Sequence, residues 1–86
     1  MEIRITKHTG NWTFGTIGEY DFEVKHYAEP SEFGIEMNEQ PGRISKLWIS
    51  RRRTLTTVVS YDRGWDKLPR TEEEIEIVQA IIDRFN

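Results

Sequence analysis

The chain has 86 residues, no cysteine and a net charge of −3, with 36% hydrophobic, 31% charged and 12% aromatic side chains. That length suits one domain, residues 1–86, with a single modest core, and excludes two. The lack of cysteine excludes a disulfide scaffold, and no apolar run approaches the length that spans a bilayer, so a cytoplasmic protein with no membrane partner is expected.

The first residues, MEIRITKH, contain no apolar run and are not expected to act as a signal peptide. "EIRIT" alternates, with Ile3 and Ile5 on one face. Gly10-Asn11 reads as a two-residue turn into "NWTFGTI", where Trp12 and Phe14 share a face. Continuous alternation from the first strand puts Ile3 and Ile5 on the face of Trp12 and Phe14. Gly18-Glu19 fits the Gly-X pattern of a type II′ hairpin turn. "YDFEVKHY" follows, with Tyr20, Phe22 and Val24 facing one way and Asp21, Glu23 and Lys25 the other. With that turn, Ile17 faces Tyr20, Gly15 faces Phe22 and Thr13 faces Val24. A ring over a glycine is a familiar cross-strand arrangement.

Pro30 breaks the pattern. "FGIEM" then reads as a short strand with Phe33, Ile35 and Met37 on one face, and "NEQPG" as a loop. "ISKLWIS" and "TLTTVVSY" are β-rich runs joined through "RRRT" as a hairpin, with three- and four-residue loops both giving acceptable pairings. The strands span roughly residues 2–61.

Residues 71–85 carry the helix. Thr71 is the N-cap, and Glu74 three residues on makes a capping box, with Pro69 outside the helix. Glu72, Glu73 and Glu74 suit the positive end of the helix dipole. Ile75, Val78, Ile82 and Phe85 recur on one face, and Ile81 widens it. The expected architecture is therefore α+β, an antiparallel meander of about five or six strands with one C-terminal amphipathic helix across a face. The N-terminal strands then have two apolar faces and one helix to cover them. Either the sheet curls into a partial barrel, with Trp48 filling the gap, or the second face meets another chain, including a second copy in a homodimer.

Charge is segregated. Residues 1–41 hold three bases and eight acids, residues 42–70 eight bases and two acids, and residues 71–86 one base and five acids. The blocks attract one another within the fold, or the middle block is a contact surface. In the second reading the basic segment 43–53 binds nucleic acid: Arg51, Arg52 and Arg53 lie at a hairpin tip, and Lys46 and Trp48 lead into it, as phosphate contacts and a stacking ring. Against it stand a sequence pI near 5.4 and the use of charged hairpin ends to prevent edge pairing.

"SYDRGWD", residues 60–66, also has two readings. As a structural turn, the strand ends at Tyr61, Asp62 starts the turn, Gly64 takes a positive φ and Trp65 plugs the gap between sheet and helix. As a binding loop, Arg63 and Trp65 grip a planar or anionic group, with Asp62 or Asp66 orienting the arginine. His8 and His26, the only histidines, come near each other through the two turns, with Thr13 beside His8 and His26 beside Asn11, but without metal-ligand spacing. No nucleophile motif, phosphate loop or dinucleotide motif occurs, and Glu29, Glu32 and Glu36 read as solvated carboxylates. No catalytic residue, cofactor or metal is therefore assigned.

"EFGI", "GRISKLWI" and "YDRGWD", followed by the amphipathic helix, resemble a family of small uncharacterised proteins from bacteriophages and Gram-positive bacteria, classed as a domain of unknown function. The resemblance covers roughly residues 10–86. It implies a compact fold and a phage or prophage origin, and carries over no active-site residue. The functional expectation is a non-enzymatic protein-interaction module, a phage or prophage accessory factor with a protein partner. Its candidate contact residues are Trp12, Phe14, Trp48, Arg51, Arg52, Arg53, Arg63 and Trp65; the alternative is nucleic-acid binding through residues 43–53.

Overall fold

The computed structural model describes residues 2–32, 34–37 and 40–86. Six strands form one antiparallel open sheet in the order β1-β2-β3-β6-β7-β8: β1 Ile3–Thr9, β2 Trp12–Ile17, β3 Tyr20–His26, β6 Ile44–Arg51, β7 Thr56–Asp62 and β8 Trp65–Lys67. Between β3 and β6 the chain makes a small two-stranded ladder, β4 Glu36–Met37 with β5 Gln40–Pro41. The helix α1, Glu72–Phe85, follows β8. β1 and β8 are edges, so the sheet does not close into a barrel.

The β2–β3 hairpin forms as the residues dictate. Ile17 pairs with Tyr20, Gly15 with Phe22 and Thr13 with Val24. Gly18 has φ +58° while Glu19 does not turn positive, the pattern of a type II′ turn. Gly15 is required sterically, because a Cβ there would lie 2.7 Å from the Phe22 ring and 2.3 Å from the Arg4 carbonyl oxygen. Ile17, Tyr20, Phe22 and Val24 are buried with Leu47, Ile49, Val59 and Tyr61 on the face that α1 covers.

The N-terminal alternation does not carry through. A bulge between Ile5 and Lys7 leaves Thr6 unpaired, so Ile3 pairs with Ile17 and Ile5 with Gly15, while Lys7 pairs with Phe14. One extra residue in a strand reverses the faces of everything before it. Ile3 and Ile5 are thereby moved to the helix side, away from Trp12 and Phe14.

The helix begins where expected. The Thr71 hydroxyl accepts the Glu74 N–H at 3.0 Å, and the Glu74 carboxylate accepts the Arg70 N–H at 2.8 Å, one residue before the position a capping box would use. The Tyr20 hydroxyl donates to Glu73 at 2.7 Å and ties this end to β3. The buried face, however, is rotated from the one the spacing predicts. Ile77, Val78, Ile81, Ile82 and Phe85 are buried, with Glu74 at their head, and Ile75 is 53% exposed. Ile77 takes the place of Ile75 on that face, because Ile77, Ile81 and Phe85 recur four residues apart beside Val78 and Ile82. Among the described residues no helix is long and apolar enough to cross a membrane.

Three other expectations change. The strand expected over residues 33–37 is confined to Glu36–Met37, and Phe33 lies outside the described residues, as do Asn38 and Glu39 of the expected loop. Thr54 and Leu55 belong to the β6–β7 turn, where Leu55 takes φ 57° and donates to the Arg51 carbonyl at 2.7 Å. The chain after Tyr61 forms a further hairpin with β8.

Truncation of α1 separates the two assignments of its buried face. Ile81→Ala should lower stability by about 2–5 kcal/mol, while Ile75→Ala should cost less than about 0.5 kcal/mol. Urea unfolding of both variants measures this; equal losses would show that the buried face is misassigned.

Candidate functional site

On the face of the sheet turned away from α1, the pairing aligns side chains in rows. One row runs Thr9, Trp12, Lys25, Lys46, Asp62, and the next Lys7, Phe14, Glu23, Trp48, Ser60. Trp12 and Trp48 belong to strands on either side of β3, about 9–10 Å apart. Their rings nonetheless stack at 5.9 Å between centroids, because both lean over β3. Phe14 stacks on Trp12 at 6.2 Å. The three rings form one continuous aromatic surface, and each is half-buried.

Cations border this surface. The Lys7 ammonium lies 5.9 Å from the Phe14 ring centre and that of Lys25 6.0 Å from Trp12, distances at which the ring quadrupole attracts positive charge. Lys25 also lies beside Tyr27 and, by hydrogen bonding, holds its phenol below the ordinary value. Neither lysine has an acidic partner among the described residues.

The basic segment is largely consumed within the fold. Lys46 pairs with Asp62 at 3.6 Å. Arg52 reaches Asp21 at 3.2 Å and donates to the Gly18 carbonyl at 2.8 Å, clamping the β6–β7 turn to the β2–β3 turn. Arg51 lies over the Tyr20 ring at 5.3 Å. Arg53 is exposed in the turn. Of the residues expected to make contacts, Trp12, Phe14 and Trp48 come together, while Arg51, Arg52 and Arg53 lie at one end of the sheet.

Arg63 and Trp65 form a separate group. Arg63, not Gly64, takes the positive φ, 61°, and its N–H donates to the Ser45 carbonyl at 3.0 Å. Asp62 and Gly64 close the turn with a 2.8 Å bond. Trp65 does not plug the gap between sheet and helix. It packs edge-on against buried Tyr61 at 5.0 Å and is 38% exposed. Arg63 and Trp65 line a cavity of about 550 Å³ with Glu32 and Ile82.

One cluster joins residues from β1, β2 and β3 on the helix side of the sheet. The Thr13 hydroxyl lies 2.8 Å from His8 Nδ1 and 3.0 Å from His26 Nε2, bridging the two imidazoles. Thr13 is buried, and the His26 ring packs against Phe85 of α1 at 4.9 Å. Burial pushes the His26 imidazole below its ordinary value, and His8 lowers it further. The signal was present in the turn assignments, which bring both histidines to the end of β2. Missing was the diagonal reach of His26 from β3 to Thr13. Among the described residues no cluster of three or more histidines and carboxylates has the proximity to hold a metal.

The sign of the His26 effect makes a test. An unfolded chain takes up the proton near pH 6.5, before the native protein does, so stability falls as pH drops through that range. Above it both states are neutral and nothing is lost. The decrease in urea midpoint between about pH 7.5 and 5.5 should be smaller in His26→Gln than in the wild type. An equal decrease would show that His26 does not carry the effect.

The family model for a domain of unknown function, DUF7678, matches residues 11–86, and the chain belongs to that family. No curated protein and no solved structure is significantly similar to this chain. The match covers Trp12, Phe14 and Trp48, the SYDRGWD turn and the whole helix, and leaves β1 outside.

Proposed function

We propose that this protein is a non-enzymatic protein-interaction module whose contact surface is the outer face of the sheet. The observation that carries this reading is the stacked Trp12–Trp48–Phe14 surface with Lys7 and Lys25 at its border. Large, rigid aromatic side chains supply contact area at low entropic cost and are enriched at interface hot spots. The partner is a protein segment that lays apolar side chains over the rings and carboxylates against the two lysines. The resemblance of GRISKLWI and YDRGWD to phage and Gram-positive bacterial sequences supports a role as a phage or prophage accessory factor acting on a host or phage protein.

Single-stranded nucleic acid is the second reading, because aromatic rings flanked by lysine on an open sheet are a recognised stacking platform. The use of Lys46, Arg51 and Arg52 inside the fold, and Glu23 between Phe14 and Trp48 in the same row, weigh against it. A second copy of the chain is less favoured, since the bulge at Thr6 removes Ile3 and Ile5 from this face.

Three measurements separate these outcomes. Affinity capture from bacterial host lysate should retain a specific protein on the wild type and on Arg53→Ala, and lose it with Lys25→Glu or Trp48→Ala. Retention by all four baits, or by none, would sink the reading. A shift assay at low salt should detect no complex with single-stranded DNA or RNA. Binding that weakens steeply with added salt would assign the face to phosphates instead. Sedimentation should give a monomer; a dimer that Trp12→Ser converts to a folded monomer would assign the face to a second copy.

A further inference from the structure

A groove of about 470 Å³ opens on the helix side of the sheet, beside the C-terminal end of α1. Its walls come from distant parts of the chain. β1 supplies His8, β2 Thr13, the end of β3 His26 and then Tyr27, the segment before β6 Arg43, and α1 Arg84. The whole chain has 15 acids against 12 Lys and Arg, yet no carboxylate lines this groove among the described residues. Neither Arg43 nor Arg84 has an acidic partner among those residues.

The bridge between the histidines is proton-limited. A threonine hydroxyl donates one hydrogen bond and accepts others. With one imidazole neutral, Thr13 donates to it and accepts from the other. When both imidazoles are imidazolium, neither bridging nitrogen can accept and both donate to Thr13. Its own hydroxyl proton then needs a new acceptor, and Thr13 is only 1% exposed. An anion in the groove supplies that acceptor and compensates the two imidazolium charges. The arginines add donors in the planar fork that fits an oxyanion.

We propose that this groove is a binding site for a dianionic oxyanion, either free phosphate or the phosphate group of a small ligand. The histidine pair is then more than a satisfied cap at the end of β2. Its proton content and the occupancy of the groove are linked, so at constant ligand charge binding strengthens as pH falls from neutrality. The ionisable groups around His26 are His8 from β1, Tyr27 beyond β3, Arg43 before β6 and Arg84 from α1.

Inorganic phosphate is titrated into the intact chain at constant ionic strength and pH 6.5, following the ring signals of His8 and His26 by NMR. Both should shift with saturation. Arg43→Gln and Arg84→Gln change exposed side chains and leave the core intact; each should weaken binding about tenfold. Unmoved histidine signals, or an unchanged affinity in the double Arg→Gln variant, would overturn the site. A nucleoside 5′-monophosphate serves as the second probe. Tighter binding than phosphate assigns the site to a carried phosphate group, and binding no tighter assigns it to the free ion. Sulfate, whose charge is constant over the range, should raise the His26 titration midpoint, and an unchanged midpoint rejects the linkage.

Discussion

One helix of 14 residues has to cover a sheet of six strands. At 1.5 Å per residue it is about 21 Å long, close to the width of the sheet from β1 to β8, about 24 Å. It can close one face and no more. The inner strands must therefore turn their aliphatic sets toward α1, and the sheet meets that demand with local adjustments. The extra residue at Thr6 returns Ile3 and Ile5 to the helix side. A register shift between Lys25 and His26, with Ser45 unpaired, puts Ile44 on the same buried face as Leu47 and Ile49. Gly15 leaves room for Phe22, which also meets Phe85 of the helix at 5.9 Å.

The second face is then left to its own resources. Trp12, Phe14 and Trp48 cover one another, and stacking over β3 reduces the apolar area each ring shows to water. Polar side chains occupy the rest. The segregated charge of the chain finds its use in the same geometry. Acidic β3 lies beside the basic β6–β7 hairpin, and Arg52 holds the two turns together through Asp21 and Gly18. Exposed pairs of this kind contribute little to stability individually. Their effect is on arrangement, because they commit much of the basic block to intramolecular partners. Lys7 and Lys25 are left as the cations beside the aromatic surface.

The two candidate sites use opposite faces of the same three N-terminal strands. Lys7, Phe14, Trp12 and Lys25 point away from the helix, and His8, Thr13 and His26 toward it. This follows from the two-residue period of a strand. Neighbours in sequence, such as Trp12 and Thr13, thus serve unrelated surfaces, and a substitution in one row is not expected to disturb the other directly. β1 contributes to both, through Lys7 and His8, although it lies outside the family match.

The α+β class, both glycine turns, the β2–β3 register and the start of the helix were legible in the sequence, because each is a local property. Gly18 sets its own φ, alternation over Tyr20–His26 sets its own faces, and Thr71 with the following glutamates marks its own cap. What tertiary structure alone decided is what depends on a residue far along the chain. The bulge at Thr6 turns Ile3 against the core, while Ile5 on the same side stays exposed. The helix face that buries Ile77 and frees Ile75 is selected by packing against the sheet core. The positive φ falls on Arg63 instead of Gly64, where the Arg63 N–H meets the Ser45 carbonyl across the sheet. The stacking of Trp12 on Trp48 and the joining of His8 to His26 through Thr13 need side chains to reach past a neighbouring strand or along a diagonal. Periodicity records the face a residue occupies, not how far its side chain leans, so these contacts exist only in the folded sheet.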